Sequence, residues 1–552
     1  MIIFVGCSPP QVSNTNESTN VIPNGSGNYE DLISLFHEFL AWKDPRKESA
    51  LYPDYSEEAV GQRRDEMKEF HARLLDMAVS DWDISKQSEY LAVRSRFNQH
   101  DFLLNISKPW SRDPGFYVDQ MLRITFTDLP IEGDALESLR TQLAGISILV
   151  GQAKQNLTEA AADYTDLAIF NLTNPDGVGH GFPYREVPPA GVIGWYADFL
   201  ERAETQQSEL LSDITTAKNS VEGYLDFLNN DLESMTKKGG VGREAFDWYL
   251  KHVKLMSYTA DDIVLLGKRE LDRLWSVYAL ELHRNRNLPV IDLPTSAEDR
   301  DARNEKTDQN VRRFLIEQEI ITIPDYIPEY VELGTNVPWI DRSGGPNFWE
   351  QIQWRDPHPD HLHAVIPGHR FDGVVARNST HPIRSKITSG ARTEGWGVYL
   401  EEGMVQAGVL EVANEVGDIG RVRELIYLFG IFRAARVPAD VWLQLNEMSV
   451  SEVVDYWIEK VPYMDEDVAR VDAEIYLRRP PGYGLGYTVG MLQMQKLLSD
   501  RKQQLGDNFV LKEFHDTLMS LGRLPLSLLR FEMTGLDDEI QNFWVQEPLP
   551  SN

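Results

Sequence analysis

The segment His363-Ala364-Val365-Ile366-Pro367-Gly368-His369 is followed by Thr393-Glu394-Gly395-Trp396-Gly397-Val398-Tyr399-Leu400-Glu401-Glu402. Histidine is scarce in this chain, 12 in 552 residues, yet four fall at His358, His361, His363 and His369, and a fifth at His381. Two imidazoles and one carboxylate are donors that zinc takes at catalytic sites, where a fourth position stays open. His363, His369 and Glu394 are therefore candidate metal ligands. The usual helical zinc motif spaces its histidines by four residues, which stacks both rings on one face. A spacing of six turns a regular helix by about 600° and leaves the rings about 120° apart. Pro367-Gly368 resolves this by ending or kinking the helix, so that His369 swings back toward the metal. His358 and His361 read as solvated loop histidines, with either able to replace His369 if it falls short.

Working outward, the flanking sequence is helical in period. Leu32, Ile33, Phe36, Phe39 and Leu40 recur at helical spacing from Tyr29 until Pro45. Similar stripes occupy 134–165, 198–236, 244–256 and 260–284, then 392–412, 418–436, 449–460, 487–504 and 510–521. Residues 286–311 are polar and charged and read as a long loop. Residues 320–340, β-branched and punctuated by proline, read as short edge strands. The expected class is mainly α, a two-lobed helical body with a minor β element and a central cleft. There is no internal repeat. The expected layout is one large helical domain over 29–549, with a metal-site region at 355–405 and a C-terminal cleft region at 430–530.

Composition narrows the partners. The chain is 42% hydrophobic, enough for a large core, and its net charge of -32 repels phosphate backbones, which argues against nucleic acid. The sole cysteine, Cys7, excludes an internal disulfide framework and a catalytic thiol within the domain. Met1-Ile2-Ile3-Phe4-Val5-Gly6-Cys7 resembles the end of a bacterial lipoprotein signal, with Cys7 the lipidated residue, although the apolar run is short and lacks basic residues before it. The competing reading is an inconsequential thiol near the terminus. Residues 8–28, rich in Ser, Asn, Pro and Gly, suit a flexible linker. With no apolar run of membrane-spanning length, membrane association is expected only through a lipid anchor, in the cell envelope facing the periplasm. P-loop, Rossmann and nucleophile-elbow signatures are absent.

In its C-terminal third the sequence resembles the bacterial family catalogued as domain of unknown function 885 (DUF 885). That family carries H-E-x-x-P-G-H followed by E-G-W-x-x-Y-x-E, and it is similar to helical zinc peptidases. The resemblance rests on His363 to His369, Glu394-Gly395-Trp396, Tyr399 and Glu401, then Arg433-Ala434-Ala435-Arg436 with Asp440. It continues through Pro481-Gly482 with Tyr487 and Gly490, Phe514-His515-Asp516, Gly522 and Leu524-Pro525-Leu526. The resemblance implies a zinc-peptidase-like body holding one zinc ion on His363, His369 and Glu394, and a peptide or amide substrate. It places Tyr487 near the cleft, where a phenol could steady an oxyanion. Glu401, Arg436 and Asp440 would stand behind the ligands, Glu401 as a carboxylate orienting a histidine. Trp396 and His515 read as packing residues, and Glu402 as part of a solvated face.

The chain departs from the family at one decisive place. The glutamate that follows the first histidine, the usual proton carrier, is here Ala364. Gln444 stands where a histidine is usual, Tyr476 where an arginine is usual, and Tyr483 where a glutamine is usual. Two classes of function follow: a metallopeptidase-like hydrolase with an altered active site, or a catalytically inactive binding or scaffolding lipoprotein that keeps the fold. A different metal-dependent amide or ester cleavage is a third reading. Substrate and oligomeric state are left open by the sequence.

Overall fold

A computed structural model describes residues 22–550 except 45–46, 49–51, 176–182, 184, 186, 232–233, 331–338, 341–343 and 414–418. Cys7 and residues 8–21 of the expected linker lie outside the described residues. Residues 22–28 run against 76–80, where the Gly25 and Gly27 amides donate to Met77 O at 3.0 Å and Asp76 O at 2.8 Å.

The chain is mainly α, as its periodicity predicts. The first helix, Tyr29–Trp42, starts at a capping box built on Asn28 and Asp31 and buries Leu32, Leu35, Phe36 and Phe39. Among the described residues the strand content is a two-residue antiparallel ladder, Lys47–Glu48 against Tyr52–Pro53, beside isolated bridges. The largest apolar cluster runs from Leu32 to Trp544, so the N-terminal helices and the C-terminal ones share one core.

Two expectations are corrected. The polar stretch 286–311 is mostly helix, Ala297–Glu317, capped by Ser296, whose side chain accepts from the Asp299 amide. Strong helix formers fill it, and Glu298 and Asp299 complement its N-terminus. Its apolar side is confined to Val311, Phe314 and Leu315 near the C-terminal end, so charge hides the period. In 320–340 the described residues form no strand. Ile320 and Ile321 are buried there. Asp516 pins the segment by accepting from the Thr322 amide at 2.8 Å and hydroxyl at 2.6 Å.

Two long helix pairs carry the site. Ala260–Arg284 lies along Ile419–Gln444, and Gly390–Gln406 lies along Leu485–Leu505. The second pair meets at glycines. A Cβ at Gly395 would stand 2.3 Å from the Gly490 backbone, and one at Gly490 would stand 2.2 Å from Ala391 O. Only hydrogen side chains permit that backbone approach. It brings Tyr487, one turn before Gly490, to the helix that carries Glu394.

Candidate metal centre

The two histidines sit on separate short helices. His358–Ala364 ends just after His363, and His369–Asn378 begins at His369. Between them the chain turns through a cis Ile366–Pro367 bond. The buried Trp396 indole donates to Pro367 O at 2.8 Å and fastens this turn to the Gly390–Gln406 helix. Gly368 lies so close to the end of the first helix that a Cβ there would stand 1.9 Å from His363 O. The turn thus removes the angular mismatch of a six-residue spacing.

As a result His363, His369 and Glu394 bring one donor atom each within 4.8 Å of one another. Glu394 Oε2 lies 3.2 Å from His369 Nε2 and 3.4 Å from His363 Nε2. The imidazoles cross at 81° with centroids 4.5 Å apart. The donors of a tetrahedral zinc, each about 2.0–2.2 Å from the ion, stand roughly 3.3–3.5 Å from one another. The residues present therefore fit a zinc-sized cation in both chemistry and spacing.

The surroundings shift the proton affinity of these groups. Glu401 Oε1 lies 2.7 Å from His363 Nδ1, the arrangement that turns Nε2 toward the other donors. The His363 ring rests on Gly397, where a Cβ would come within 2.6 Å of it. Burial and the Arg433 guanidinium oppose protonation of His363, but the Glu394 and Glu401 carboxylates raise its pKa overall. Burial alone would push Glu394 up, yet hydrogen bonding to His363 and His369 holds its carboxyl well below the usual range. Arg433 donates to the same Glu401 Oε1 at 3.1 Å, so His363 Nδ1 and a guanidinium share one carboxylate oxygen.

Tyr487 stacks near His363, with ring centroids 6.3 Å apart at 15°. Burial and the neighbouring Glu394 raise its pKa well above the ordinary phenol value, so it stays a proton donor. Its face is covered by Arg433 at 4.9 Å and Arg436 at 4.6 Å. Arg436 itself pairs with Asp472, at 2.7 Å through Nη2, and lies against Phe432. It braces Tyr487 rather than a ligand. Asp440 contacts no ligand. Its Oδ2 accepts from the Leu485 amide at 3.0 Å and so sets the start of the Tyr487 helix. Burial pushes the Asp440 carboxyl up to about 6, despite the Leu485, Gly484 and Gly482 amides and Lys254 drawing it down.

Other residues find other partners. His358 and His361 are buried rather than solvated. His358 Nδ1 meets Asp356 at 2.7 Å, and His361 Nε2 meets Asp308 at 3.0 Å. His381 faces Glu89. His515 Nδ1 donates to Ile320 O at 2.8 Å, and its Nε2 faces the Tyr399 hydroxyl at 3.0 Å. Glu402, expected on a solvated face, is buried and takes both terminal nitrogens of Arg273 at 3.1 and 2.7 Å. Ala364 is 3% exposed, at the last position of its helix. Gln444 Nε2 donates to Tyr476 O at 2.7 Å, so two of the family departures meet each other and no ligand. The third, Tyr483, places its hydroxyl 3.4 Å from that of Tyr487. Arg433 was visible in sequence only as part of a block. Its spacing of three from Arg436, on one helical face, is the signal that ties it to Tyr487.

Comparison with known proteins agrees with this architecture. No curated protein matches the chain. Among solved structures, a candidate lipoprotein of unknown function from Shewanella oneidensis superposes with a TM-score of 0.63 at 17% identity, covering 91% of this chain and 97% of that one. A candidate lipoprotein from Colwellia psychrerythraea gives 0.66 at 17% identity, covering 92% and 97%. At that identity the likeness concerns the fold. Residues 361–533, which contain both histidines, Glu394, Glu401, Arg433 and Tyr487, match the family described as "Bacterial protein of unknown function (DUF885)".

Proposed function

We propose that His363, His369 and Glu394 hold one zinc ion and that the protein is a metallopeptidase-like hydrolase of peptide or amide bonds, with proton handling altered by Ala364. The observation that carries this reading is the single carboxylate oxygen set 3.2 and 3.4 Å from two Nε2 atoms, spacings that suit a tetrahedral ion. Zinc bound there would supply Lewis acidity toward a carbonyl and lower the pKa of water to about 7. The chain's own residues do the rest. Glu401 keeps the His363 Nδ1 side occupied. Tyr487, a buried phenol held protonated, is placed to donate to an oxygen that gains negative charge. Ala364 cannot carry a proton, and the absence of a positioned base costs typically about 10²–10⁴-fold in rate. Substrate would reach this point through a cleft between two helical lobes. Attachment to the cell envelope through a lipid on Cys7, facing the periplasm, is part of the same reading, and the candidate lipoproteins of like fold support it.

A second reading, a non-hydrolytic binding or scaffolding protein that keeps the metal, is favoured by Ala364 itself, since it leaves the usual position of the proton carrier empty of chemistry. Metal analysis with peptide-library turnover on the native chain and on Ala364→Glu separates the two. Zinc in both, slow cleavage by the native chain and faster cleavage by the variant are expected. Cleavage by the variant alone would establish the second reading. Zinc without cleavage by either protein would overturn the hydrolase.

A further inference from the structure

A recess of about 370 Å³ opens between the Tyr29–Trp42 and Ile84–Phe102 helices and shares no residue with the metal centre. Phe39, Phe102 and Leu103 give it apolar surface, and Lys43, Arg96 and Lys386 also line it. Among the described residues no carboxylate lines it, although the chain carries 86 acidic residues against 54 basic ones. A cavity walled by one sign of charge focuses that field.

Arg96 is the centre of this arrangement. Its guanidinium donates to Gln99 Oε1 at 2.8 Å and to the Thr388 carbonyl, both neutral acceptors. Arg384 faces Glu89 and Glu532, and Arg478 faces Asp113, whereas Arg96, like Arg94 and Arg112, meets neutral acceptors. Arg96 is part-buried; a guanidinium partly withdrawn from water without a counter-charge is costly, and an anion brought to it relieves that cost. Lys43 and Lys386, both exposed, pair with no carboxylate among the described residues. His100, also on the wall, is kept neutral by burial and by the positive charge of Arg63 and Lys43, with its pKa pushed down to about 4. Arg96 also lines a second recess of about 70 Å³, which Lys254 lines as well.

We propose that this recess binds an amphipathic organic anion, with a carboxylate head on Arg96 between Lys43 and Lys386 and an apolar tail along Phe39, Phe102 and Leu103. Arginine recognises a carboxylate through paired N–H donors, and tail burial adds to the affinity with each methylene withdrawn from water. The volume falls in the range of small-molecule sites, which are mostly apolar with a few placed polar groups.

Calorimetric titration of the full chain with octanoate, octylamine and octanol tests the proposal. Octanoate is expected to bind about tenfold or more tightly than the amine or the alcohol of equal length. Arg96→Gln should weaken octanoate by about the same factor, and Lys386→Glu, a surface change, by roughly severalfold. Performing the titration in His363→Ala as well separates this site from any carboxylate capture by the metal centre, because octanoate affinity should be unchanged there. Absence of octanoate binding, equal binding of octanoate and octylamine, or loss of binding in His363→Ala would each overturn the proposal. Should Arg96→Gln fail to fold, the head-group series and Lys386→Glu still decide it.

Discussion

His361 and His363 lie two residues apart on one short helix, both buried, and both face carboxylates, yet they build different things. At His361 one imidazole meets Asp308, whose other oxygen takes Arg312 Nε at 2.6 Å. Each donor there has its acceptor, and burial lowers the His361 pKa despite Asp308. At His363 two imidazole nitrogens crowd a single oxygen of Glu394, while Arg433 shares Glu401 Oε1 with His363 Nδ1. One cluster is electrically closed and the other concentrates lone pairs on one point. Burial and a nearby carboxylate do not distinguish a ligand from a structural histidine. Convergence of several donors on one point does.

The sharpest way to break this comparison is to remove each histidine. His363→Ala should reduce the zinc retained after gel filtration to background, whereas His361→Ala should leave the metal content intact. Equal loss from both would show that the closed pair also feeds the metal centre. Next in size, if hydrolysis is measurable, Tyr487→Phe should lower kcat by about 10²–10³-fold with zinc content unchanged, as removal of one oxyanion donor does elsewhere. An unchanged kcat would leave Tyr487 a packing residue. Glu401→Gln keeps the shape but weakens the hold on His363 Nδ1, and zinc affinity measured by competition with a chelator should fall about 10–100-fold. The smallest effect belongs to the closed cluster: His361→Ala strands Asp308 in part and should cost about 1–3 kcal/mol in urea denaturation. A variant as stable as the native chain would mean that the pair contributes nothing net.

Much of the candidate site was readable because its ligands are rare residues at short range. His363, His369, Glu394 and Glu401 lie on adjacent segments, and Pro367-Gly368 marked where a helix had to break. Reading failed where long-range partners decide. Glu402 looks like a surface residue until Arg273, on a helix far upstream, is set against it. His361 looks like a loop residue until Asp308, on the upstream Ala297–Glu317 helix, is set against its Nε2. The Ala297–Glu317 helix was missed because its buried apolar residues cluster at one end while capping and propensity hold the remainder. The strands expected in 320–340 do not form among its described residues. There the backbone at Ile320 and Thr322 is satisfied by His515 and Asp516, so a β ladder is not needed at those points.

By itself, then, the sequence determined the helical class and the residue types of the candidate donor set, His363, His369 and Glu394. These are properties of periodicity and residue type, which do not depend on distant neighbours. The tertiary structure decided how closely the donors approach, through the Gly395–Gly490 contact, the Gly397 seat under His363 and the Trp396 tie to Pro367. It also decided that Asp440 serves the backbone at Leu485 and that Arg96 faces a recess without a counter-charge. Burial and pairing are relations between segments far apart in the chain, and only packing sets them.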